Sequence, residues 1–150
     1  MPELQLKPIG VIHSPFSKPG QPPRQAYLGK ETEAKVEIYP EFSDGLQDLG
    51  GFSHLYLIWQ FHQSKDYQLL TYPHGRKELT GVFATRSPHR PNPLALSLVE
   101  LAKIEQNILT IRGVDMIEGT PLLDIKPYIP RLDYREEVKL GWIAKRKDIK

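Results

Sequence analysis

Hydrophobic and polar positions alternate along much of the chain with a period of two, the signature of strands with one buried face. Leu4, Leu6, Ile9, Val11 and Ile12 predict a first strand over 4–12, closed by Ser14-Pro15. Ala34, Val36 and Ile38 interleave with Glu33, Lys35, Glu37 and Tyr39 and predict a second, stopped by Pro40. Leu55-Tyr56-Leu57-Ile58-Trp59-Gln60-Phe61 has almost no polar alternation and reads as a strand covered on both faces. Gly81-Val82-Phe83-Ala84-Thr85 predicts another. Leu94 to Ile104 suits a strand or a helix; a strand is favoured because Gln106-Asn107 separates it from Ile108-Leu109-Thr110-Ile111, in the manner of a hairpin. Thr120 to Ile129 completes the core strands, and the apolar residues Val138, Leu140, Trp142 and Ile143 predict an amphipathic tail that packs back on them.

Between these runs lie polar segments. Pro15 to Gly29 holds four prolines, two glycines, Lys18 and Arg24, and His62 to Glu78 is a second long loop. Loops of that length in a compact domain are usually functional. Phe42 to Phe52, with Ser43-Asp44-Gly45 and Gly50-Gly51, reads as a short helical turn or loop that points Leu46 and Leu49 inward. Fourteen prolines leave little room for long helices, since each interior proline costs ~3 kcal/mol there. A mainly β fold is the expectation, as one domain over 1–150.

Composition narrows the function classes. No cysteine is present, which excludes disulfides, thiolate metal sites and a cysteine nucleophile. His13, His54, His62, His74 and His89 show no metal-ligand spacing, so no metal is expected. No signal-like or membrane-spanning run occurs, and a soluble, cytoplasmic protein with no membrane partner is expected. The net charge of +2 permits an anionic partner without naming it. Dinucleotide, P-loop and serine-elbow motifs are absent.

Polar chemistry gathers in a few segments. Thr85-Arg86-Ser87-Pro88-His89-Arg90-Pro91-Asn92-Pro93 sets two arginines, a histidine and an asparagine on a proline-stiffened loop, where Arg86 and Arg90 suit a carboxylate or phosphate. An exposed basic loop explains the same residues. Glu118-Gly119-Thr120-Pro121 offers a carboxylate, a glycine that permits close backbone approach, and a hydroxyl. Asp124 and Lys126 share one face of the following strand, which by itself describes an ordinary solvated ion pair. The histidines beside apolar strands, His13 and His54 among them, read first as structural residues.

Taken in order, Gly10-Val11-Ile12-His13-Ser14-Pro15, Pro23-Arg24-Gln25, Phe52-Ser53-His54-Leu55, Gly81 to Ser87, Arg90-Pro91-Asn92-Pro93 and Gly119-Thr120-Pro121 with Asp124-Ile125-Lys126-Pro127-Tyr128 resemble the TrmO/TsaA-like family over residues 9–130. The resemblance implies a single-sheet β-barrel with short helical segments that forms a homodimer and binds S-adenosylmethionine near the subunit interface. It implies methylation of N6 of N6-threonylcarbamoyladenosine beside the anticodon of a threonine tRNA, with no role for DNA. By motif, Pro23, Arg24, Gln25, His62, Gln63, Arg86, Leu96, Glu118, Gly119, Thr120 and Pro121 are the implied cofactor contacts. Asn92, Asp124 and Lys126 are the candidates for holding the modified base. The alternatives are a non-catalytic RNA- or nucleotide-binding barrel, and a methyltransferase of the same fold with another substrate.

Overall fold

The computed structural model describes residues 1–146, with the backbone alone at Ala26 and Tyr27. Its strands are β1 (Gly10–His13), β2 (Glu33–Ile38), β3 (His54–Gln60), β4 (Leu70–Thr71), β5 (Thr80–Gly81), β6 (Leu94–Glu105), β7 (Ile108–Arg112) and β8 (Thr120–Pro127). Six of them close into an antiparallel barrel in the order β1-β2-β7-β6-β3-β8, as the resemblance implies, and β4 and β5 form a separate two-residue ribbon. Short 3-10 turns and a one-turn helix, α1 (Pro130–Asp133), fill the connections.

Alternation governs the barrel wall. Ala34, Val36 and Ile38 point inward with Ile12, Leu55, Leu57, Trp59, Val99, Leu109, Ile111 and Leu122, and they form the core. β3 is not covered on both faces as its apolar run suggests: Leu55, Leu57 and Trp59 are buried, whereas Tyr56, Ile58 and Gln60 stand half-buried on the outer face. The first strand is shorter than predicted. Leu4 and Leu6 are 90% and 64% exposed, and Ile9 is the first residue to pack on the core. Nor is 81–85 a strand, because pairing ends at Gly81 and Val82–Ala84 closes a 3-10 turn that buries Val82 and leaves Phe83 outside.

Two bulges reset the faces. On β8, Ile58 pairs with Asp124 but Trp59 pairs with Leu122, so Leu123 is the extra residue. Thr120 and Leu122 face the core, and Asp124 and Lys126, in phase with them along the sequence, are thereby turned outward. A shift between Leu101 and Lys103 on β6 likewise lets both Leu101 and Ile104 meet the core.

The Gln106-Asn107 hairpin forms as predicted, with Gln106 at a φ of 56° and Asn107 Nδ2 donating to Ile38 O. The Phe42 to Phe52 region is two 3-10 turns, Pro40–Leu46 and Leu49–Gly51, whose Leu46 and Leu49 pack on the core. The tail does pack back, but on the β3–β6 connection: Trp142 Nε1 donates to Ala84 O at 2.8 Å, the Arg76 guanidinium lies 5.4 Å from the Trp142 ring, and Arg146 reaches His74 O.

Candidate functional site

Strand direction sorts the connections. His13 pairs with Lys35, Ile12 with Thr120, Gln60 with Leu94 and Glu33 with Arg112. The long connections 14–32, 61–93 and 113–119 therefore all leave one end of the barrel. The connection 39–53 and the Gln106-Asn107 turn occupy the other. Pro23, Arg24, Gln25, His62, Gln63, Arg86, Asn92, Glu118 and Gly119 thus gather at a single end, and Thr120 and Pro121 open β8 there.

Side chains tie these loops together. Arg86 Nη1 donates to Gln25 Oε1 at 2.6 Å across 61 residues of sequence. Arg90 is turned back on its own loop, donating to Thr85 O at 2.9 Å. Ser64 Oγ donates to Pro88 O, which fastens the segment after His62 and Gln63 to the arginine loop. Phe61 N–H donates to Pro93 O and Leu94 N–H to Asn92 O, and these bonds set the mouth of β3 and β6. Gly29 is buried, and a Cβ there would stand 2.7 Å from Val114 O and 2.8 Å from Pro23 Cγ, so the chain beside Pro23 is pressed against the β7–β8 connection.

The Glu118–Pro121 turn is held from several sides. Glu118 N–H donates to Phe16 O and Gly119 N–H to Ile12 O, while Gly119 takes a φ of 82° that favours glycine. Thr120 is fully buried with its hydroxyl on Ile117 O, so it shapes the turn while the exposed Glu118 and Gly119 form its outer surface. The Glu118 carboxylate accepts from His13 Nδ1 at 2.8 Å and from Ser14 N–H at 2.9 Å. The bond to Glu118 raises the His13 pKa above its ordinary value, against a smaller opposing effect of burial, with Glu37 adding to the rise. Burial would raise Glu118, but the bonds from His13 and Ser14 outweigh it and hold the carboxyl below its usual range. Sequence reasoning left His13 and Ser14 out of the site. Their partner lies more than a hundred residues away, and no local pattern announces it.

Below the turn, a buried chain runs from Trp59 Nε1 to Ser97 Oγ at 2.8 Å and on from Ser97 Oγ to Asp115 Oδ1 at 2.7 Å. It pins the 113–119 connection to the barrel wall.

Asp124, Lys126 and Leu96 lie on the outer wall. Asp124 Oδ2 stands 3.3 Å from Lys126 Nζ and Oδ1 accepts from Ile125 N–H. Their cross-strand neighbours on β3 are Ile58 and Tyr56, and Leu96 pairs with Ile58 from the other side. Burial raises the Tyr56 pKa, with Asp133 and Tyr128 adding to it. Leu94, Leu96 and Leu98 are 38%, 54% and 40% exposed and form an apolar row beside Tyr56 and Ile58. Asn92 is therefore not beside Asp124 within one chain: two strand spacings and about four residue rises put them roughly 15 Å apart. Asp124 instead borders a cleft of about 610 Å³ at the far end, whose rim carries Glu41, Asp44 and Asp48.

The donor set at the near end fits S-adenosylmethionine. An exposed guanidinium suits a carboxylate, a carboxylate-bearing glycine turn suits an ammonium or ribose hydroxyls, and the prolines, with Leu96 on the adjoining outer wall, suit an apolar ring. Among the described residues, no three His, Asp or Glu side chains are grouped to hold a metal ion, and no helix is long and apolar enough to cross a membrane.

The family model of the tRNA-methyltransferase O N-terminal domain matches residues 11–134. A probable S-adenosyl-L-methionine-binding protein of Pyrococcus abyssi is 53% identical over 139 residues, covering 93% of this chain and 76% of its own length. The tRNA (adenine(37)-N6)-methyltransferase of Escherichia coli is 37% identical over 140 residues, covering 87% of this chain and 60% of its own. The crystal structure of TrmO from Pseudomonas aeruginosa superposes with a TM-score of 0.79 at 36% identity, over 93% of this chain and 62% of that one. The chain thus spans less than two thirds of the Escherichia and Pseudomonas proteins.

Proposed function

The chain belongs to the family of the tRNA-methyltransferase O N-terminal domain, and on that premise we propose that it is an S-adenosylmethionine-dependent tRNA methyltransferase acting on N6 of the adenosine beside the anticodon. The finer reading is N6-threonylcarbamoyladenosine of a threonine tRNA. The observation that carries the proposal is the gathering of three long connections at one barrel end, where Gln25 and Arg86 bond directly at 2.6 Å.

When bound, S-adenosylmethionine supplies a methyl group already activated by its sulfonium. The chain's own task is alignment and exclusion of water, and alignment alone is worth roughly 7–11 kcal/mol of a barrier. Arg86, oriented by Gln25, holds the cofactor carboxylate with Arg24 and Pro23 alongside. Glu118, Gly119, Thr120 and Pro121 form the opposing turn, and His62, Gln63 and Leu96 complete the contacts. The nucleophilic nitrogen of a carbamoylated adenosine shares its lone pair with the urea, so it needs its proton drawn away. Asp124 fills that role: with Ile125 N–H and Lys126 on it, a carboxylate still has lone pairs to accept a further donor. Lys126 and Asn92 hold the base and its carbamoyl group.

Because Asn92 and Asp124 are apart in one chain, the reading includes a homodimer that meets across the Leu94, Leu96 and Leu98 row and completes the site between copies. RNA approaches the end that carries Arg24, Lys65, Arg86 and Arg90. The far end, rimmed by Glu41, Asp44 and Asp48, repels phosphate. The domain organisation proposed is one barrel over 1–150, working in the cytoplasm.

Calorimetric binding of S-adenosylmethionine to the wild type and to Arg86→Ala is the first test. Micromolar binding weakened about tenfold or more in the variant supports the cofactor site, since bonds to charged groups are worth about 1.5–3 kcal/mol. Methyl transfer to tRNA with and without the threonylcarbamoyl group then decides the substrate. Salt-sensitive RNA binding with no cofactor affinity would favour the non-catalytic barrel instead.

A further inference from the structure

His13 ends β1 with its ring outside the barrel, between two carboxylates. Nδ1 lies 2.8 Å from Glu118 Oε1 and Nε2 lies 3.6 Å from Glu37 Oε1. Both ring nitrogens face acceptors, and an imidazole donates from both only when it is protonated. The other charges around it do not compete. Lys35, its register partner on β2, directs Nζ to Thr110 Oγ1 at 2.6 Å, toward β7, and Glu33 faces Arg112 at 3.9 Å. From the β7–β8 connection Glu118 reaches His13, and its second oxygen is fixed by Ser14 N–H. A shallow cleft of about 320 Å³ opens beside the cluster, so the ring is reached by solvent protons.

We propose that protonated His13 is a positioning residue for the cofactor site, clamping Glu118 against β1 and so fixing the Glu118–Pro121 turn in the form that receives S-adenosylmethionine. The inference rests on the function proposed above and assigns His13 a role in it. It also explains the way the turn is built. Gly119 N–H is bonded to Ile12 O, one residue from His13, so the main chain and the carboxylate of the turn are both referred to the end of β1. Loss of the ring proton removes the donor to Glu37 and the ion-pair attraction to Glu118, leaving a neutral imidazole donating to the carboxylate. The turn is then less well fixed, and cofactor affinity falls as pH rises through the His13 pKa. That pKa stands above its ordinary value, chiefly because of the Glu118 bond.

The test is calorimetric binding of S-adenosylmethionine to the full chain between pH 6 and pH 9, for the wild type, His13→Gln and Glu37→Gln. The ligand's own titration appears in all three and cancels on comparison. The wild type should lose affinity with rising pH by roughly fivefold more than His13→Gln, the upper end for a half-exposed ion pair. Glu37→Gln should keep the low-pH affinity and move the midpoint to lower pH, because it removes one of the charges that hold the proton on. A merely structural histidine would lower the melting temperature of the variant and leave the three binding profiles parallel. Parallel profiles with intact binding overturn this inference alone. Absence of binding to well-folded wild type at every pH overturns the functional reading and this inference together.

Discussion

Ser97→Ala tests a deeply buried polar contact of the barrel. Trp59 and Ser97 are 3% and 2% exposed, and the serine hydroxyl accepts from the indole while donating to Asp115. Removing it leaves a buried N–H without an acceptor, which costs about 1–3 kcal/mol, and takes from a carboxylate a bond of about 1.5–3 kcal/mol. The cavity of a single oxygen adds little. We expect a loss of about 3 kcal/mol, or roughly 6–12 °C in melting temperature for a chain of this size. Urea unfolding, with the midpoint falling and the slope unchanged, is the assay. Trp59→Phe removes the donor, so the double variant should cost less than the sum of the singles by about 1 kcal/mol or more. A cost for Ser97→Ala below about 0.5 kcal/mol, the range of ordinary surface changes, would refute the argument. So would strict additivity with Trp59→Phe.

Four further outcomes are expected. Gly29→Ala drives a methyl into Val114 O and Pro23 Cγ and should lower stability by about 1–3 kcal/mol, measured by thermal unfolding. Trp142→Ala releases the tail from Ala84 O and Arg76 and should speed hydrogen exchange in residues 72–85 without changing the barrel strands. Leu96→Asp places a charge in the apolar row and should convert a dimer seen by sedimentation equilibrium to monomer; a wild type that is monomeric at assay concentration refutes that interface. The stability His13 contributes is complete below about pH 6.5 and is lost as pH rises through its raised folded pKa, whereas that of Glu118 is present above about pH 4.3 and is lost as pH falls through its lowered one. Melting of His13→Ala should therefore fall short of wild type by at most about 3 °C near pH 5.5 and by less at pH 9.

Periodicity made the barrel wall legible. Ala34, Val36 and Ile38 are buried where the pattern places them, and the hairpin at Gln106-Asn107 forms where two short apolar runs meet a polar pair. The misreadings have physical causes. The Leu55 to Phe61 run is apolar on both faces although one of them looks outward, because the outer wall carries its own apolar row. Phe83 is hydrophobic and exposed, so residue type alone promised a strand where a 3-10 turn stands. The bulge at Leu123 was invisible: counting by twos puts Asp124 and Lys126 with the buried Thr120 and Leu122, and only cross-strand register sends them outward. In the site, motif order named the segments but not their couplings. That Gln25 meets Arg86, or His13 meets Glu118, depends on which strand ends share a rim, a property of the closed sheet and not of any window of sequence.

Closure of that sheet also decides how this protein can meet others. Open sheets leave a row of unpaired N–H and C=O groups that any extended chain can extend, and they must be guarded by charge, proline or a bulge. Here β1 bonds to β8 as well as β2, so each barrel strand has a neighbour on both sides over part of its length; β6 pairs with β3 over residues 94–100 and with β7 over residues 100–105, and the separate ribbon is two residues long. Main-chain recognition is thereby confined to short stretches of the wall. Selectivity toward a companion molecule is then written mainly in side chains, on the wall's apolar row or on the rim, and each can change by substitution without reopening the hydrogen-bonded cylinder behind it.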